Sequence, residues 1–156
     1  LGSQDPKCTL GLNNTLRYKN LDFNIYFYGE IGRLRGASYY DAWIVGLGNS
    51  LTNVSQQSLH SYTNANQNTT VPNLIESAYD FGDYYHKKIN YLRCRNITLG
   101  YTIPVSKSIA NSVRISANVS NPFVFTNWNG VDPETDTRNF SYPNVTSFSF
   151  GIDISF

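Results

Sequence analysis

The chain has 156 residues, with 12 Lys and Arg against 11 Asp and Glu and a formal net charge of +1. Charged residues make up 15%, against roughly 25% in an ordinary soluble domain, while 15% are aromatic and 40% apolar. That balance excludes a basic nucleic-acid binder and an acidic disordered tail. No apolar run approaches the ~18 to 20 residues of a membrane-spanning helix, so a membrane role has to use strands. The opening Leu1-Gly2-Ser3-Gln4-Asp5-Pro6 carries no signal sequence and reads as the middle of something longer.

Five stretches alternate apolar and polar residues over roughly ten positions, the pattern of a strand with one greasy and one wet side. The first puts Leu10, Leu12, Leu16 and Tyr18 on one face and Gly11, Asn13, Thr15 and Arg17 on the other, with Asn14 as its exception. The second sets Leu21, Phe23, Ile25 and Phe27 against Asp22, Asn24, Tyr26, Tyr28 and Glu30. A two-residue turn at Lys19-Asn20 then pairs Tyr18 with Leu21, Arg17 with Asp22, Leu16 with Phe23 and Thr15 with Asn24, like face with like. It makes Arg17 and Asp22 a cross-strand ion pair.

A long segment follows, over about residues 33–90. Its Tyr40, Trp43, Ile44, Leu47, Leu51 and Val54 recur at helical spacing and predict a short amphipathic helix, weakened by Gly46 and Gly48. The polar tip at 56–70 is expected to be mobile. The third stretch has Ile97, Leu99, Tyr101 and Ile103 against Asn96, Thr98, Gly100 and Thr102. The fourth has Val113, Ile115, Ala117 and Val119 against Arg114, Ser116, Asn118 and Ser120. Pro104 and Pro122 mark strand ends or bulges. After a second long segment at 126–146, residues 147–156 alternate without error: Phe148, Phe150, Ile152, Ile154 and Phe156 share one face.

A soluble sandwich also alternates, but its strands run about five or six residues, whereas a tilted bilayer-crossing strand needs about 9 to 11. Aromatics also collect near both ends of the apolar faces, with Tyr18, Phe23, Tyr101 and Phe156 at one and Tyr91, Phe123, Phe125 and Phe148 at the other, as in the girdles of membrane barrels. Short turns and long loops alternate, matching the periplasmic and extracellular sides of such barrels and putting the C-terminus on the periplasmic side. The expected fold is all-β: an antiparallel transmembrane β-barrel fragment of about five long meander strands, with two long extracellular loops, one partly helical. Closed single-chain barrels have even strand counts of eight or more, so this wall needs further strands. The alternatives are a secreted soluble β-sandwich that binds glycans through loop aromatics, and a smaller barrel completed by another chain.

Several runs carry a family likeness. Asp5-Pro6-Lys7, the stretch Leu10-Gly11-Leu12-Asn13-Asn14-Thr15-Leu16-Arg17-Tyr18-Lys19-Asn20-Leu21-Asp22, and Tyr91-Leu92-Arg93-Cys94-Arg95-Asn96-Ile97-Thr98-Leu99-Gly100-Tyr101-Thr102-Ile103-Pro104 are three of them. With Gly130-Val131-Asp132-Pro133-Glu134 and the ending from Tyr142-Pro143-Asn144 to Phe156, they resemble the C-terminal part of SusC/RagA-type TonB-linked outer-membrane proteins of Bacteroidetes. Cys8 and Cys94 depart from that pattern. The resemblance implies a barrel of about 22 strands with an N-terminal plug, of which residues 1–156 form the last five strands. It implies import of glycan or peptide fragments across the bacterial outer membrane, a SusD-like surface lipoprotein as lid, and energy from TonB through the absent N-terminal region.

Within that frame, Phe148, Phe150, Ile152, Ile154 and Phe156 form the terminal strand that the barrel-assembly machinery reads. Lys87, Lys88, Arg93 and Arg95 are candidate lipopolysaccharide contacts, Arg93 and Arg95 by sharing parity with Ile97 and Leu99; a solvated rim is the alternative. Tyr39, Tyr40, Trp43 and Trp128 are candidate ligand platforms, or else rings that hold a loop down. Arg17, Asp22, Asn24, Tyr26, Tyr28, Glu30, Arg114, Asn118 and Asp153 line the lumen.

No catalytic, cofactor or metal site is expected. Only two histidines occur, His60 and His86, with no nucleophile motif. Asp132, Glu134 and Asp136 alternate, but an EF-hand would need Gly at Thr137 and Glu at Pro143. Seven Asn-X-Ser/Thr sequons occur among 19 Asn, which chance explains. Cys8 and Cys94 fall on strands that are not neighbours, about 10 Å apart and beyond the ~7 Å reach of a disulfide, so two free thiols are expected.

Overall fold

Alternating side chains let a ribbon bond its backbone to neighbours while keeping two chemically different faces, and the computed structural model uses all five stretches in this way. It describes residues 2–36, 56–71, 73, 86–105, 111–135 and 142–156. The helix expected over residues 40–54 lies outside them. Strands β1 (Cys8–Tyr18), β2 (Leu21–Gly36), β3 (His86–Ile103), β4 (Ser112–Thr126) and β5 (Ser147–Ser155) form one antiparallel meander sheet in the order β1-β2-β3-β4-β5. The chain divides into two compact units: 6–32, 89–128 and 144–156 carry most of the sheet, and 1–5, 33–88 and 129–143 form the other.

In the sheet unit the first hairpin has the register that like-face pairing demands: Tyr18 opposes Leu21, Arg17 opposes Asp22, Leu16 opposes Phe23 and Thr15 opposes Asn24. Lys19 takes the left-handed conformation of the tight turn at φ 54°. The Asn20 carbonyl accepts a 2.8 Å hydrogen bond from Thr102 N–H, carrying the turn over to β3. β1 has 11 residues. At ~3.4 Å per residue and a ~45° tilt it rises about 26 Å, the height of a bilayer's apolar band.

The apolar face is solvent-open rather than interred. Phe148, Phe150, Ile152 and Ile154 are 69, 84, 69 and 53% exposed, and Leu12, Leu16, Leu99, Tyr101 and Ile115 are exposed on the same side. All five strands belong to one sheet, so the sandwich alternative, which would bury these residues between two sheets, is overturned.

β2, β3 and β4 run to 16, 18 and 15 residues, longer than the alternation shows. In β3 the reason is an irregularity between Cys94 and Asn96, where Asn121 and Pro122 of β4 face Arg95 alone. Asn121 sits at φ 51°, and its carbonyl accepts from Thr146 Oγ1 at 2.9 Å, which fixes the entry to β5. Across this fault β3 reverses parity. Leu99 and Tyr101 lie on the apolar face below it, whereas above it Leu92, paired with Phe125, takes that side. Tyr91 is buried against Tyr28 on the polar face, with ring centroids 6.3 Å apart. It therefore leaves the expected girdle to Phe123 and Phe125, whose rings meet edge-on at 5.5 Å.

In the other unit, Leu34 N–H bonds the Ser3 carbonyl at 3.0 Å, and buried Arg35 donates to the Pro133 carbonyl. The polar tip expected to be mobile is a hydrogen-bonded turn. A 3₁₀ helix at Gln56–His60 is followed by a reverse turn in which Thr63 and Asn66 exchange backbone bonds. Thr69 Oγ1 closes it onto the His60 carbonyl at 2.6 Å.

Candidate functional site

The polar face of the sheet carries three tiers. Nearest the short turns, the Arg114 guanidinium of β4 grips the Asp22 carboxylate of β2 with two bonds, Nη2 to Oδ2 at 2.6 Å and Nε to Oδ1 at 3.2 Å. It also approaches Asp153 of β5 at 3.9 Å. β3 lies between these strands, and the pair passes over it at Gly100. A Cβ there would sit 2.6 Å from both Asp22 oxygens and collide with Arg114 Nη2. The ion pair thus differs from the one expected. Arg17 opposes Asp22 in register, but Asp22 is bound by Arg114, because the side-chain-free strand between them opens a straight path for the planar fork. Parity alone placed all three residues on one face; the signal missed was the single Gly in that row of β3. Arg17, Asp22, Arg114 and Lys19 line a cleft of about 450 Å³ here.

The middle tier is neutral. Asn24 Nδ2 donates to Asn13 Oδ1 and to Thr15 Oγ1, each at 2.8 Å. Asn96 Nδ2 donates to Thr98 Oγ1 at 2.9 Å, and that hydroxyl donates to Asn118 Oδ1 at 3.4 Å. The sequon asparagines Asn13, Asn96 and Asn118 are therefore engaged with neighbouring side chains of the sheet.

The third tier holds Tyr28, whose hydroxyl donates to buried Glu30 Oε1 at 3.0 Å and whose ring lies under the Arg95 guanidinium at 5.5 Å. These contacts tie Tyr28 of β2 to Glu30 on its own strand and to Arg95 of β3. Among the described residues no group of three His, Cys, Asp or Glu side chains is placed to hold a metal. Asp132 accepts from Glu134 N–H at 2.8 Å, capping its own turn.

The chain is 30% identical to the "TonB-dependent receptor P3" of Formosa agariphila, in a match that covers all of this chain and 17% of the relative. It is also 30% identical to the "TonB-dependent receptor SusC" of Bacteroides thetaiotaomicron, over 94% of this chain and 15% of the relative. The solved RagAB peptide importer in its open-open state superposes with a TM-score of 0.82 at 26% identity, over 99% of this chain and 18% of that one. Its closed-closed state gives 0.81. The chain belongs to the SusC/RagA family of TonB-dependent receptors. No family profile matches it, and it spans under a fifth of the length of the relatives it matches.

The five strands are thus a stretch of SusC/RagA-type barrel wall, and the other sequence-expected residues fall on it as follows. The last-strand set Phe148, Phe150, Ile152, Ile154 and Phe156 lies exposed on the apolar face. Arg93 and Arg95 do not point outward as expected. The fault in β3 turns this part of the strand over, so Arg95 stacks on Tyr28 of the polar face and Arg93 is 3% exposed. Lys87 and Lys88 are exposed. Trp128 is 7% exposed, with its backbone N–H bonded to Thr126 Oγ1 at 3.0 Å; its ring packs rather than offering an open platform. Tyr39, Tyr40 and Trp43 lie outside the described residues. Cys8 is exposed on β1 and Cys94 buried on β3, both unbridged.

Proposed function

We propose that this chain is the C-terminal wall segment of an outer-membrane importer for glycan or peptide nutrients, worked through TonB and lidded by a SusD-like surface lipoprotein. The observation that carries this reading is the single sheet with an open apolar face on one side and a bonded polar ladder on the other. Such a sheet suits a wall between hydrocarbon and an aqueous, plug-filled lumen. The short turns and the C-terminus are periplasmic and the long loops extracellular. β5 is the strand read by the barrel-assembly machinery. β1 and β5 are the sheet's edges, and their outer backbone groups are met by the rest of the same barrel. Lys87 and Lys88 meet lipid phosphates, and Tyr39, Tyr40 and Trp43 are ligand platforms in the first long loop.

The test uses the full-length gene in its host. Deleting it should abolish TonB-dependent uptake of either a radiolabelled oligosaccharide or a radiolabelled oligopeptide, with the protein recovered in the outer-membrane fraction. Unchanged uptake of both, or recovery of the protein in the soluble fraction, would refute the proposal.

A further inference from the structure

The apolar face is not a uniform surface. A cleft of about 340 Å³ opens in it between Leu10 and Ile31 on one side and Leu92 and Phe125 on the other, with Asn90 and Asn127 at its rim. Leu10 opposes Gly29 and Leu92 opposes Phe125, while a Cβ on Gly29 would lie 2.5 Å from the Tyr91 carbonyl oxygen and 3.1 Å from Leu92 Cδ1. The row Leu10, Gly29, Leu92, Phe125 therefore crosses four strands, and with no side chain on Gly29 the backbone of β3 and the Leu92 side chain come in close against β2 at that point.

A void against hydrocarbon forfeits dispersion contacts on its whole lining, so something apolar and flexible has to fill it. At ~30 Å³ per water-sized group, the cleft has room for about ten methylenes, one stretch of a single chain. The rim adds direction. Asn90 is held by its own N–H on Asn127 Oδ1 at 2.8 Å and by its amide oxygen, which accepts from Gly32 N–H at 2.8 Å. Its side-chain NH₂ has no partner among the described residues. A hydrogen-bond donor at the mouth of a greasy groove complements an amphiphile whose chains begin in acceptor-only carbonyl oxygens.

We propose that this groove seats one acyl chain of lipopolysaccharide, with Asn90 Nδ2 donating to an oxygen at the head of that chain. The inference rests on the membrane-wall reading. On that reading the groove lies toward the long-loop end, where the outer leaflet supplies lipopolysaccharide rather than the glycerophospholipid of the inner one.

The experiment is native mass spectrometry of the full-length protein extracted from outer membranes in mild detergent. Wild type should retain one lipopolysaccharide. Leu10→Trp and Leu92→Phe, which fill the groove from opposite sides, should each lower the retained fraction by about tenfold, the loss expected when about ten close atom pairs are removed. Leu12→Trp, exposed on the same face but outside the cleft, should leave it unchanged. Retention unaltered in both groove variants, no retained lipid in wild type, or a retained glycerophospholipid would overturn the proposal. Labelling of Leu12→Cys with a lipid-phase thiol probe separates the two failures. A labelled thiol with indifferent retention removes only the groove assignment, whereas an unlabelled one removes the wall reading as well.

Discussion

Gly100→Ala tests whether the charge bridge across β3 depends on an absent side chain. The added Cβ would lie 2.6 Å from both oxygens of Asp22 and overlap Arg114 Nη2, so the bidentate pair must open. The two side chains are 28% and 36% exposed, so solvent screens the pair and losing it costs little by itself; the steric displacement carries the effect, at about 2 kcal/mol. Without the clash, Ala should be neutral or better than Gly in a strand, by up to ~1 kcal/mol. Full-length barrel reconstituted in liposomes and unfolded in urea, followed by the folded-to-unfolded electrophoretic shift, should lose about 1 to 2 kcal/mol net on Gly100→Ala alone. In an Asp22→Ala background the carboxylate is gone and Arg114 is free to swing aside, so the same change should cost less than about 0.5 kcal/mol. Equal costs in the two backgrounds would show that Gly100 is required for something other than this bridge.

Phe150→Arg, on the apolar face near the middle of β5, should destabilise the barrel by about 2 to 4 kcal/mol in the same assay, while Ser149→Arg on the opposite face should cost under ~1 kcal/mol. Similar penalties for both would contradict the assignment of faces. In folded full-length protein, peptide mapping after maleimide treatment should find Cys8 modified and Cys94 intact, since one is exposed and the other buried; urea should make both reactive. A lipid-phase thiol probe should label Leu99→Cys but spare Arg95→Cys, because the fault in β3 puts residue 95 on the Tyr28 side. Labelling of both would restore the unbroken alternation.

Alternation made most of the sheet legible in the sequence, because each apolar residue of β1, β2 and β5 needed only a neighbour of its own kind to fix register. The Lys19-Asn20 turn followed from that constraint alone, and its four predicted pairs are those found. β3 was legible only up to its fault. Beyond Asn96 the exterior positions change from odd to even, so Arg93, Arg95 and Tyr91 were assigned to the wrong side by a rule that held perfectly below them. Asn121-Pro122 carried the warning, since Pro interrupts a ladder, but it gives no direction for the strand opposite. The Asp22 partner was missed for a different reason. Cross-strand logic considers adjacent strands, and the bond to Arg114 spans two steps through the space that Gly100 leaves open.

The reversal within β3 also governs how tall the greasy belt of this wall can be. Because one slipped position exchanges inside for outside, guanidinium groups continue up the same ribbon without ever meeting oil. The waterline is thus drawn by a step in the backbone rather than by a change in composition. Moving that step by two residues along the ribbon would raise or lower the belt by about 7 Å along the strand, leaving the roster of amino acids untouched.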